Sequence, residues 1–173
     1  MGLVQAWSGR RDRMTLEIKA EFDPDELKDE IRGIKERSKN FTHIFLRIKE
    51  DLRQHWAGNF TSNGLPVGGW DPLDPEYAAW KSSHFPGPTM IRTGRLFRSL
   101  TQLDGNASDV GRREATFGTK IEYAKFHQYG TLKMPKRQLV YEPAGASLRW
   151  GEWAADYLAG SVADRKWGWG RGL

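Results

Sequence analysis

Apolar residues recur at Leu27, Ile31, Ile34, Phe41, Phe45, Ile48, Leu52 and Trp56, spaced by threes and fours with one gap of seven. That spacing marks one face of an α-helix. Its start is written in Asp23-Pro24-Asp25-Glu26: Asp23 as N-cap, Pro24 at the first helical position, and Glu26 three residues after the cap. Unbroken from 24 to 56, the helix would be about 50 Å long, more than a domain of this size usually holds inside itself. The chain therefore kinks near Ser38-Lys39-Asn40, where the gap interrupts the stripe, or carries one end of the helix onto a neighbour.

Before this helix the period is two. Met14, Leu16, Ile18, Ala20 and Phe22 alternate with Thr15, Glu17, Lys19 and Glu21, the pattern of a half-buried strand over 13–22. After it, Asn63-Gly64, Pro66 and Gly68-Gly69 punctuate a loop anchored by Trp70. The acidic run around Asp71 and Asp74 lacks the alternating oxygens and central glycine of a calcium loop and reads as another helix start. Asp74 is its N-cap, with Pro75 at the first position and Glu76 favoured by the dipole. Tyr77 and Trp80 share a face of this short helix, which Pro86 and Pro88 prevent from continuing. A further helix opens at Thr93, capped by its hydroxyl, with Leu96, Phe97 and Leu100 inward and Arg92, Arg95 and Arg98 outward.

A turn is expected at 103–106 and a second strand over 109–119, with Val110, Ala115 and Phe117 inward and Gly111 as a bulge. Tyr123, Phe126 and Tyr129, three apart, line one face of a short helix that Gly130 ends. A third strand is expected at 138–141, then a helix over 146–158 carrying Leu148, Trp150, Trp153, Tyr157 and Leu158 for a core or a subunit interface. The fold class that follows is α+β: a small, mainly antiparallel sheet packed against a long N-terminal helix. One domain over 13–160 is flanked by a flexible arm at 1–12 and a basic aromatic tail at 161–173.

Gly69-Trp70-Asp71-Pro72-Leu73, Tyr77, Lys81, the run Ile91-Arg92-Thr93-Gly94-Arg95-Leu96-Phe97 and the run His127-Gln128-Tyr129-Gly130-Thr131 occur in that order. Together they resemble the virion morphogenesis, or tail completion, family of Mu-like tailed phages, itself distantly similar to siphophage neck and minor tail proteins. The family's usual Pro-Ala-Arg-Pro-Phe-Leu stands here as Pro135-Lys136-Arg137-Gln138-Leu139-Val140. The resemblance implies a structural virion protein, a neck or tail completion subunit that joins head to tail as part of a homo-oligomeric ring. It further implies other neck and tail proteins as partners and a place in the virion neck, reached from the host cytoplasm during assembly.

The residues themselves argue against catalysis. Four histidines, His43, His55, His84 and His127, make no metal-ligand pair, and zero cysteines remove disulfides, thiolate chemistry and cysteine-held zinc. No phosphate-cradling glycine loop, nucleophile elbow or cofactor motif is present, so neither cofactor nor metal is expected. No apolar run approaches the roughly 20 residues that span a bilayer, and the start lacks the order of a signal peptide, so no membrane role is expected. A net charge of +5 permits non-specific contact with passing double-stranded DNA, and a sequence-independent DNA-binding module is the alternative function.

The candidate interface residues are Trp70, Arg92, Arg95, Arg98, His127, Tyr129, Lys136, Arg137, Trp167 and Trp169. The arginines at 92, 95 and 98 form a stripe that either grips phosphates or carboxylates or is simply a solvated face. His127 is a structural or interface histidine. Trp167 and Trp169, in a tail rich in glycine and cations, are expected to dock on a neighbouring subunit.

Overall fold

The gap in the apolar stripe is a break between two helices. In the computed structural model, which describes residues 23–102 and 108–160 together with the paired segments Val4–Gln5 and Ile18–Lys19, helix α1 spans Pro24–Arg37 and helix α2 spans Thr42–Thr61. The break falls where the kink was expected, and the long N-terminal helix is two helices. Asp23 does cap α1, its Oδ1 accepting the Asp25 N–H at 2.8 Å. At the joint, the Phe41 N–H donates to Arg112 O at 2.7 Å, and the Thr42 hydroxyl donates to Gly111 O at 3.0 Å. A remote loop thus takes the bond that would have continued the helix.

That loop belongs to a hairpin. Strands β3 (Asp109–Val110) and β4 (Ala115–Thr116) pair antiparallel, and Gly111 N–H to Glu114 O at 2.9 Å closes the turn. The expected strand over 109–119 is therefore folded back on itself, and Gly111 marks its turn. Strands β1 (Val4–Gln5) and β2 (Ile18–Lys19) form a second, separate antiparallel pair. The rest of the alternating stretch at 13–22 lies outside the described residues, as do the remainder of the 1–12 arm, the turn at 103–106 and the tail at 161–173.

Helices α3 (Pro75–His84), α4 (Arg95–Thr101), α5 (Ala124–Tyr129) and α6 (Ala146–Leu158) complete the fold, which is mostly helical with small antiparallel pairs, an α+β protein. Asp74 caps α3, accepting from Glu76 N at 3.0 Å and Tyr77 N at 3.2 Å. At α4 the N-cap is Gly94 and not Thr93, whose hydroxyl meets the Arg95 N–H only at 3.5 Å. The core gathers Leu52, Trp56 and Phe60 of α2, Leu96 and Leu100 of α4, Ala124 of α5, and Leu139. On another face of α2, Asp51 Oδ2 accepts from Arg149 and from the Trp150 indole of α6, each at 2.8 Å, and Arg47 lies 3.8 Å over the Trp153 ring.

The third expected strand, 138–141, is not one. It runs through the core without a partner strand, because side chains take its backbone groups. Gln128 Oε1 accepts the N–H groups of Leu139 and Val140 at 2.8 and 2.9 Å, while its Nε2 donates to Val140 O at 2.8 Å. Asn59 Nδ2 donates to Gln138 O and Leu139 O, the Trp70 indole to Gln138 O, and the Trp56 indole to Tyr141 O. The amide of Gln128 offers the donor and acceptor that a neighbouring strand would have offered. The expected sheet of three strands is accordingly absent among the described residues.

Candidate functional site

The segment 135–141 also builds one wall of a cleft. Gly130 closes α5 with φ 76°, and a Cβ there would lie 2.9 Å from Lys136 N, so glycine lets the returning chain pass close under the helix end. The Arg137 N–H then donates to His127 O at 2.7 Å, fixing the segment against α5. Across from it, the buried Arg137 guanidinium donates to Asp71 O and Pro72 O at 3.0–3.2 Å and ties down the approach to α3. Lys81, also buried, does the same for the exit from α3, donating to the carbonyls of Phe85, Gly87 and Pro88 at 3.0–3.1 Å. Two buried cations held by carbonyl oxygens thus set the walls, each through charge-assisted hydrogen bonds.

Between these walls lies a cleft of about 600 Å³, lined by Asp74 and Tyr77 of α3, Arg92, Arg95, Tyr123 and His127 of the facing elements, and Lys133 and Arg137. Its charge is one-sided. Among the described residues, Arg92, Arg95, Lys133 and Arg137 have no carboxylate partner, and the one lining carboxylate, Asp74, is engaged in capping α3. Arg92 also sits over the rings of Trp80 and Phe85, 5.3 and 5.1 Å from their centroids. Beside the cleft, Tyr123, Phe126 and Tyr129 form an exposed aromatic ridge, Tyr129 being 78% exposed.

His127 lines the cleft with its ring edge-on to Tyr123 at 6.1 Å and its Nδ1 buried without a partner among the described residues. Burial, and then the nearby Arg137 charge, lower its pKa below the ordinary 6.5. The unfolded chain therefore binds a proton on this histidine before the folded chain does. Stability from this group is complete above about pH 6.5 and declines as pH falls from there toward the folded pKa. A His127→Gln variant is expected to lose that acid-side decline, read as a shallower fall in Tm than wild type between pH 7.5 and 5. Parallel curves would show that His127 carries no such linkage.

Of the residues singled out in the sequence, the structure brings Arg92, Arg95, His127 and Arg137 into the cleft. Arg98, Tyr129 and Lys136 are exposed outside its lining. Trp70 is turned inward: its indole packs edge-on to Phe60 at 5.7 Å and bonds Gln138 O, and a Cβ on Gly64 would come within 2.3 Å of it. Trp167 and Trp169 lie outside the described residues. Lys133 was not foreseen as a site residue; it reaches the cleft through the Thr131–Met134 turn, a placement that local spacing does not encode.

The family model for phage virion morphogenesis matches residues 22–160, which includes every element from α1 to α6 and the whole cleft. The chain belongs to the phage virion morphogenesis family. No match was found among curated proteins or solved structures. The family match makes this a protein of phage virion assembly. Among the described residues no helix is long and apolar enough to cross a membrane, and no group of three or more His, Asp or Glu is placed to hold a metal ion.

Proposed function

We propose that this phage virion morphogenesis protein is a structural neck or tail completion subunit, acting without catalysis or cofactor in a homo-oligomeric ring that joins head to tail. The observation that supports this reading best is the pairing of a one-sidedly cationic cleft with an exposed aromatic ridge. Aromatic side chains and arginine are the residues that dominate protein–protein interfaces, and a concave cationic surface suits acidic groups of a partner. A ring requires two different surfaces per subunit, since heterologous contacts repeat around the axis. Other neck and tail proteins would bind the ring's outer faces, and the virion neck would be its place.

Electron micrographs of the purified protein, alone and mixed with phage tails, test this. Rings, or density added at the head-proximal tail end, are the expected result; a monomer that stays apart from tails and connectors would overturn the reading. The cleft's unpaired cations also favour a second reading, sequence-independent contact with double-stranded DNA. In that case affinity would fall steeply with salt and ignore sequence.

A further inference from the structure

Helix α1 leaves its apolar face uncovered by the other described residues. Every residue from 23 to 32 is exposed, and no residue of α1 is buried. Its apolar stripe is left largely in water, with Leu27, Ile31 and Ile34 at 46%, 57% and 43% exposure. The helix meets the body at its last turn, where Arg37 Nε donates to Leu158 O at 2.8 Å and the chain packs on α6.

The charge on the projecting end is acidic. Asp25, Glu26, Asp29 and Glu30 stand against Lys28 in its first eight residues. Asp25 and Asp29 are paired with Lys28 and Arg32 in exposed bridges, worth little in water. Glu26 and Glu30 have no ion-pair partner among the described residues. Each precedes a residue of the apolar stripe, Leu27 and Ile31, so at helical spacing the two carboxylates run along one edge of that stripe.

We infer that the occupant of the cationic cleft is the projecting end of α1 from a second copy of this chain. Glu26 and Glu30 would meet Arg92, Arg95 and Lys133, and the apolar stripe would lie on the ridge of Tyr123 and Phe126. This rests on the ring reading and specifies its contact. A helix about 10 Å thick does not enter a cleft of this size, but its side chains do while the helix lies along the rim. The contacts of α2 also separate the two elements: α6, on which α1 packs, meets it at Asp51, and α4, whose start lines the cleft, meets it in the core at Trp56. At about 100° per residue, Asp51, which faces α6 and hence the α1 side, points about 140° away from Trp56, which faces the core with α4. A helix on one side and its receptor on the other is what head-to-tail repetition needs.

Charge reversal with rescue tests the contact. One variant carries Glu26→Lys and Glu30→Lys, a second Arg92→Glu and Arg95→Glu; all four positions are exposed, and circular dichroism verifies that each variant folds. Light scattering after gel filtration reads the assembly. Each variant alone is expected to need at least tenfold higher concentration to assemble than wild type. An equimolar mixture, in which reversed helix meets reversed cleft and native helix meets native cleft, is expected to restore assembly. Normal assembly by either variant alone, or loss in both without restoration on mixing, overturns the inference while wild-type rings leave the proposed function standing. Loss of duplex DNA binding in the second variant with assembly intact assigns the cleft to DNA and also overturns it. If wild type assembles neither alone nor on tails, the ring reading and this contact fall together.

Discussion

Trp56→Ala is expected to lower the free energy of unfolding by about 4 kcal/mol, within the range seen when a large buried aromatic is truncated to alanine. Trp56 is 2% exposed and sits where α2, α4 and the 138–141 segment meet, so neighbours on all sides would have to move to fill the space. Its loss also removes the indole N–H that Tyr141 O accepts at 3.0 Å, one of the bonds that replace a partner strand. Trp56→Phe separates the two effects. It keeps most of the apolar contact and leaves the carbonyl unsatisfied, at an expected cost of about 1–2 kcal/mol. Urea denaturation of the three proteins measures both, and a Trp56→Ala cost under about 1 kcal/mol would mean that the core lies elsewhere.

Gln128→Leu is expected to cost about 3 kcal/mol, although it exchanges a polar side chain for an apolar one of similar size in a partly buried place. The reason is that one amide serves three backbone groups: the N–H of Leu139, the N–H of Val140 and the carbonyl of Val140. Leu139 is 1% exposed, so water cannot take over for its N–H, and each buried donor left without a partner costs about 1–3 kcal/mol. Gln128→Glu should fall between wild type and Gln128→Leu, because a carboxylate still accepts both N–H bonds but faces the Val140 carbonyl with no donor. Hydrogen exchange gives the specific signature. The amides of Leu139 and Val140 should be protected in wild type despite the absence of a partner strand, and should lose protection in Gln128→Leu before the amides of α2 do. Uniform loss across the molecule would make Gln128 an ordinary stabilising residue.

What was legible in the sequence was what neighbours within one turn decide. Asp23 and Asp74 cap α1 and α3 because a carboxylate before a proline has its first-turn amides in reach whatever the rest of the chain does. The end of α5 at Gly130 and the end of α3 before Pro86 are local for the same reason, and the family likeness rested on segments of that kind. The weak point at 38–40 was also visible, as a gap in the apolar stripe.

Only the tertiary structure decided what the gap became, because the bond that ends the helix run comes from Arg112, far along the chain. The alternation and apolar content of 138–141 read as a strand, since backbone groups in an extended segment need partners; nothing local says that side chains at 56, 59, 70 and 128 will supply them. The cleft is of the same kind. Arg92, Arg95, His127, Lys133 and Arg137 are ordinary residues at their own positions, and they line one cleft only because Arg137 ties the approach to α3 to α5 while Lys81 folds the exit of α3 back onto its own helix. Short-range spacing determines caps, turns and faces, because those depend on dihedrals and neighbours a few residues away. Which face meets which depends on contacts whose sequence separation carries no periodic trace, and there the three-dimensional packing decides.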